Sequence, residues 1–258
     1  MAKSGSCIRY FAAIYKVMGK IRRAFYLWRN NAPVGAVLNY LATSCRRSIR
    51  RKHAESVSEL RQFAKDNDFK YDWFSANVPF WMEIFELAGL RDRPVRALEI
   101  GSFEGLSSCF LLKQLPHADL TCVDTWAGSD EHAGMSHISS IEAAFDRHVG
   151  PWKERVTKRK GYSYQCLAAF RPDEKFDFIY VDGSHHADDV VVDAIRSFEH
   201  LKVGGVMVLD DYLWHYYPRD AENPARAING FLRLIEGRHR IIMAYHQLAL
   251  VKTSERST

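Results

Sequence analysis

The chain predicts an α/β fold: a mostly parallel sheet covered by helices on both faces, ending in an antiparallel hairpin and preceded by a basic helical extension. Three observations carry this. From residue 95 onward, short apolar runs alternate with helical stretches, the pattern of strand–helix–strand units. Near the end, RHRIIMAY and HQLALVK almost touch, as in a tight hairpin. Finally, residues 1–60 hold 12 of the 36 Lys/Arg but only Glu55 and Glu59 of the 31 acidic residues, so a segment near +10 precedes one near −5.

In that first segment Cys7, Phe11, Ile14, Met18, Ile21, Phe25 and Trp28 recur at steps of four and three, while Arg9, Lys16, Lys20 and Arg23 fall off the seam. This is a basic amphipathic helix. Its seam packs on the main domain or on a second copy, or it lies on an anionic membrane surface. An organellar presequence stays open because no acid precedes Glu55. Interrupting cations exclude a spanning helix or a secretory signal. A short helix follows at 34–43, then RRSIRRK at 46–52. No aromatic is interleaved there, so a solvated or phosphate-lipid-facing run is expected and no nucleic-acid partner. Residues 57–89 read as helical pieces around an irregular KYDWFSANVPFW. The extension is taken as 1–71 and the main domain as 72–258. Five scattered cysteines without a C-x-x-C pair indicate reduced thiols in a cytoplasmic protein, with a peripheral membrane position as the other option.

Strands are expected at VRALEI, ADLTCV, RVTKRK, FDFIYVD and GVMVLD, and helices at 105–114, 139–148, 163–170, 187–201 and 223–235. The first strand runs into ALEIGSFEGLSS, where Glu99, Gly101 and Gly105 form E-x-G-x-x-x-G ahead of a helix. Glycines at such a turn admit a ligand close to backbone, and the helix start offers free N–H groups. A dinucleotide fingerprint needs glycine at 103, and Phe103 stands there, which disfavours NAD and FAD. Asp124 ends the next strand, where an open α/β sheet holds ribose hydroxyls; a turn is the plainer reading.

With these residues the chain resembles the class I S-adenosylmethionine-dependent methyltransferases, a Rossmann-like fold. The resemblance implies that Glu99, Gly101, Ser102 and Gly105 contact the cofactor, that Asp124 takes its ribose, and that Ser163, in the turn Gly161-Tyr162-Ser163, lies on the adenine side. Ser163 could equally cap a helix.

The fourth strand ends in Asp182, and the fifth runs through VMVLDDYLW into Asp210 and Asp211. Paired acids at a strand end are often a turn. In a parallel sheet, however, these ends share one edge, and three carboxylates there need a counter-charge. A hard divalent cation, Mg²⁺ first and Mn²⁺ or Ca²⁺ otherwise, supplies it. The arrangement resembles the metal-dependent O-methyltransferases of the catechol type, and VDGSHHADDV with GGVMVLDDY resembles a bacterial family acting on small molecules and sugars. The resemblance covers roughly residues 72–252. It implies Asp182, Asp210 and Asp211 as metal ligands, Asp182 also beside the cofactor, and a small-molecule or sugar hydroxyl as acceptor. The catechol enzymes' lysine base falls at His185, which is then base, substrate hydrogen-bonder or helix cap. His186 is a bystander. Trp126, Tyr212, Trp214 and His215 form substrate walls or lid packing, and Trp73 and Phe74 cover the cofactor or fill core. Loops 126–138 and 212–224 shape the acceptor pocket. Two alternatives remain: transfer to N or O without metal, and a membrane-surface scaffold that keeps only the fold.

Overall fold

The computed structural model describes residues 18–129 and 138–256. Strands β1 (Val95–Ile100), β2 (Ala118–Asp124), β3 (Val156–Lys160), β4 (Phe176–Val181), β5 (Leu201–Leu209), β6 (His239–Ala244) and β7 (Leu248–Lys252) form one sheet in the order β3-β2-β1-β4-β5-β7-β6. The first five are parallel, and β7 runs antiparallel to both β5 and β6. The expected hairpin is present, with its second strand inserted between β5 and the first.

Central β4 is buried along its whole length, which its apolar sequence FDFIYV permits. The charge it carries there, Asp177, is compensated: its carboxylate accepts from Arg93 Nη1 (2.8 Å), Lys202 Nζ (2.8 Å) and the Arg96 amide (2.9 Å).

Helices cover both faces. One side carries α4 (Ala54–Asp66), α5 (Val78–Leu87), α6 (Leu106–Gln114) and α7 (Ile141–Val149), built around Trp81, Phe85, Phe110 and Phe145. The other carries α1 (18–29), α2 (Val34–Cys45), α8 (Ser163–Ala168), α9 (Ala187–His200) and α10 (Pro224–Leu234). Leu27, Ala36 and Tyr40 are fully buried in the same cluster as Ile179, Met207 and Phe231. The first helices therefore belong to the sheet's second covering layer.

That attachment uses a different stripe from the expected seam. Met18, Ile21, Phe25 and Trp28 are 56%, 59%, 54% and 65% exposed, while Leu27 and Asn30 turn inward. Asn229 Nδ2 donates to the Asn30 carbonyl (2.9 Å), and Tyr212 Oη donates to Asn229 Oδ1 (2.7 Å), which ties α1 to the segment after β5. Seam positions Cys7, Phe11 and Ile14 lie outside the described residues. The cluster at 46–52 is helical too: α3 (Arg47–Lys52) buries Ile49, and its Lys52 donates to Glu83 (2.8 Å) and Glu86 of α5.

Candidate functional site

Strand register builds the site. Ile100 pairs with Val123 on one side and Val181 on the other, and Val181 pairs with Leu209. The next residues, Gly101, Asp124, Asp182 and Asp210, therefore stand in a row across four neighbouring strand ends. Connections leave β1 and β4 in opposite directions, the switch point at which open α/β sheets bind ligands.

On the β1–β2 side a cavity of about 450 Å³ is lined by Gly101, Asp124, Trp126, Ser163, Asp182 and His185, among others. Gly101 has φ +83°, and a Cβ there would lie 1.8 Å from the Asp182 carbonyl oxygen. Only glycine lets the loop pass this close. Phe103 stands where the dinucleotide fingerprint needs glycine, yet it adopts a left-handed φ of +46°. Asp124 fastens the loop: Oδ2 accepts the Ser102 and Phe103 amides, each at 2.8 Å, and Oδ1 accepts the Trp126 amide at 2.7 Å. A carboxylate has about four acceptor sites, so Asp124 retains one for a ligand hydroxyl.

Other expected cofactor residues do not line this cavity. Glu99 is fully buried beneath the loop, where Ser107 Oγ (2.6 Å) and Ser108 Oγ donate to it; burial pushes its carboxyl above the usual range. Its place is to brace the loop onto α6. Ser102 reaches Asp124 by its backbone, and Gly105, at φ +87°, starts α6 against Phe145. Ser163 does line the cavity, and its hydroxyl also binds Asp193, whose pKa burial raises to about 6.

On the β4–β5 side a second cavity of about 860 Å³ is lined by Asp182, His185, Asp210, Asp211, Trp214 and Arg50, among others. Trp73, Asp182 and His185 line both cavities and form their common wall.

Here the grouping of ligand atoms differs in one member from the expected Asp182, Asp210 and Asp211. Ligand atoms of Asp182, His185 and Asp211 lie within 4.8 Å of one another, and Asp210 is not in that group. Asp210 Oδ2 instead accepts from Gln247 Nε2 (2.7 Å) and Tyr180 Oη, and its Oδ1 accepts the Asp211 amide (2.7 Å). Asp211, at a left-handed φ of +54°, is thereby turned toward His185. Burial raises the Asp210 carboxyl well above its usual range, with Asp182 and Asp211 adding repulsion.

His185 Nε2 lies 2.7 Å from Asp211 Oδ2 and 3.9 Å from Asp182 Oδ1. Burial alone would lower its pKa, but the two carboxylates prevail and raise it to about 12. With no cation bound, the two carboxylates favour the protonated imidazole over the neutral base that was one of its expected roles; a cation at the cluster would take the place of that proton. Asp182 is raised by burial to about 6, against the pull of His185, so it sits closer to the range of a neutral-pH base. Two carboxylates and one imidazole converging at this spacing fit a divalent cation, the oxygens favouring Mg²⁺ or Mn²⁺ and the nitrogen favouring Mn²⁺.

Tyr180 and Gln247 were not singled out in the sequence. Tyr180 had a signal: it lies two residues before Asp182, on the same strand face, and donates to its Oδ2 at 2.8 Å. Gln247, between β6 and β7, had none; Trp81 Nε1 holds it at 2.9 Å. The aromatics divide. Trp73 and Trp214 line the second cavity and Trp126 the first, whereas Phe74 and Tyr212 are core and His215 lines a separate groove. His186 lines the first cavity beside Tyr217, at 3.0 Å. Of the 126–138 loop, residues 130–137 lie outside the described residues.

Residues 98–212 match a family model described as a methyltransferase domain. An O-methyltransferase hkm8 of Aspergillus hancockii is 28% identical over 142 residues, 53% of this chain and 50% of the relative. Among solved structures, MycE of mycinamycin biosynthesis, in complex with Mg, SAH and mycinamycin VI, superposes with a TM-score of 0.52 at 17% identity over 76% of this chain and 54% of MycE. The O-methyltransferase TomG of Streptomyces achromogenes, in complex with SAM, gives 0.52 at 18% identity over 78% of this chain and 90% of TomG. This chain thus has the class I methyltransferase fold and spans about half the length of hkm8 and of MycE.

Proposed function

We propose that the protein is an S-adenosylmethionine-dependent O-methyltransferase acting on a hydroxyl of a small molecule or sugar. The observation that carries this is the pair of cavities sharing a wall of Trp73, Asp182 and His185: one beside a glycine loop and the strand-ending Asp124, the other beside the acids. A methyl donor in the first cavity and an alcohol in the second meet at that wall, and holding them in line supplies much of the rate.

In this reading Gly101, the Asp124 carboxylate and Ser163 bind the donor, with Glu99, Ser102 and Gly105 shaping the loop beneath it. S-adenosylmethionine would supply the electrophilic methyl. A divalent cation held by Asp182, His185 and Asp211, with Mg²⁺ as first candidate, would lower the pKa of the acceptor hydroxyl. Asp182 receives the hydroxyl proton, and His185 positions the two carboxylates around it. Asp210 sets the pose of Asp211 through its backbone amide.

Calorimetric titration with S-adenosylmethionine, followed by chelation, is the test. Expected are micromolar binding and metal-dependent turnover. Absence of binding at millimolar donor overturns the whole reading; binding with turnover indifferent to chelator overturns the metal role alone.

The exposed seam of α1 supports contact with an anionic membrane surface or a second copy of the chain. Vesicle flotation and sedimentation velocity separate the two. No helix among the described residues is long and apolar enough to cross a membrane.

A further inference from the structure

A third cavity, of about 800 Å³, lies between α1, α2 and α3 and the segment after β5. Its lining holds Lys20, Arg22, Arg23, Arg46, Arg47 and Arg50 and no carboxylate. Several basic side chains elsewhere on the surface find acids: Arg29 pairs with Asp220, Lys52 with Glu83 and Glu86, Lys158 with Glu142 and Asp146. In the groove, among the described residues, no carboxylate lies within ion-pair distance of any of the six. Six like charges around one concavity repel one another, and among the described residues a nearby acid, Asp220, which shares a small neighbouring cavity with Arg22, is paired with Arg29 instead.

The groove is also continuous with the acceptor cavity. Arg50 and Tyr245 line both, and the Arg50 guanidinium lies 5.1 Å from the Tyr245 ring centroid and 5.8 Å from that of Phe80. Attraction to two ring faces at these distances holds the Arg50 charge at the junction. Leu213 and His215, two and four residues beyond Asp211, complete the groove wall. The positive field extends past the junction: partial desolvation together with Arg23 and Arg50 holds His246, on the acceptor cavity wall, below its ordinary pKa.

The combined site is therefore polarised, with acids at the end that meets the donor and arginines at the far end. We propose that the arginine groove binds a phosphate or diphosphate group of the methyl acceptor, so that the acceptor is a phosphorylated molecule whose hydroxyl reaches Asp182 while its phosphate lies on Arg46, Arg47 and Arg50. This rests on the methyltransferase reading for the hydroxyl, but not for the anion. Arginine forks match phosphate oxygens in pairs, and several charged hydrogen bonds in one concavity give specificity that scattered surface cations do not.

The phosphate can belong to a soluble acceptor or to a lipid headgroup. Inorganic pyrophosphate is the probe, titrated calorimetrically into the full chain at low ionic strength. Expected is binding that weakens about ten-fold or more in Arg46→Gln/Arg47→Gln and in Arg50→Gln, and on raising salt, but not in Arg196→Gln on α9. No binding at millimolar pyrophosphate, or equal binding in all variants, overturns the proposal. Phosphatidylcholine vesicles with and without phosphatidic acid form the second arm. Flotation that requires phosphatidic acid and is reversed by pyrophosphate assigns the phosphate to a lipid; pyrophosphate binding without flotation assigns it to a soluble acceptor. S-adenosylmethionine is titrated in parallel. Failure there alone refutes the methyltransferase reading and leaves the anion site standing, whereas failure of pyrophosphate alone does the reverse.

Discussion

Two halves of one sheet edge treat buried acid in opposite ways. At β1 and β2, Glu99 and Asp124 are surrounded by donors, two serine hydroxyls for one and three backbone amides for the other. At β4 and β5, Asp182 and Asp211 crowd around His185 with Asp210 beside them, and burial with mutual repulsion drives Asp182 and Asp210 upward. The acids of the first half find their donors within their own chain. The second is charged beyond what its chain compensates, which suits a cation and a reacting hydroxyl.

The largest expected effect comes from breaking the first half. In Gly101→Ala the new methyl meets the Asp182 carbonyl at 1.8 Å and the backbone holds φ +83°, so the loop must move. A loss of about 3 kcal/mol in stability or more, together with loss of donor binding, is expected by chemical denaturation and calorimetry.

Neutralising the crowded half gives the next effect and separates its members. Asp211→Asn is expected to weaken Mn²⁺ binding about ten-fold or more relative to Asp210→Asn, because Asp211 and not Asp210 faces the cluster. Equal losses would restore Asp210 as a ligand.

Asp177, at the other end of β4, sharpens the contrast because its neighbours are cations. Burial would raise its pKa, but Lys202, the Arg96 amide and Arg93 prevail and lower it. A carboxylate depressed on folding stabilises above its unfolded pKa, and this is lost as pH falls through the folded value. Asp177→Asn should therefore cost about 1–2 kcal/mol at pH 7, with the difference from wild type vanishing in acid melts below about pH 3.

The smallest effect is expected at Phe103. Glycine there relieves the left-handed strain and gives up the tilted ring contact with Trp73 at 4.9 Å, so Phe103→Gly should change stability by less than about 1 kcal/mol. A larger loss would show that the aromatic wall, rather than the turn, holds the loop.

Much of the fold was legible in the chain because its signals are local. Strand runs, crossover helices and the closing hairpin follow from alternation, and consecutive parallel strands must bring Gly101, Asp124, Asp182 and Asp210 to one edge. Side-chain direction was not legible. Whether Asp210 or His185 completes the cluster depends on Gln247, 37 residues away and held in turn by Trp81, and on the left-handed turn at Asp211. Of the destinations open to the α1 seam, the main domain is not taken by Met18, Ile21, Phe25 and Trp28: helical periodicity identifies an apolar stripe, but Leu27, Asn30 and Asn229 decide which stripe docks on the sheet's covering layer.

The sequence by itself determined which segments are strands and the residue types at their ends, since hydrophobic period and glycine placement act within a few residues. Only the tertiary structure decided which acids are satisfied and which are crowded, and that six cations line one groove beside them. Those outcomes depend on distances between side chains far apart in the chain, because electrostatic and hydrogen-bond energies follow spatial separation and not order along the backbone.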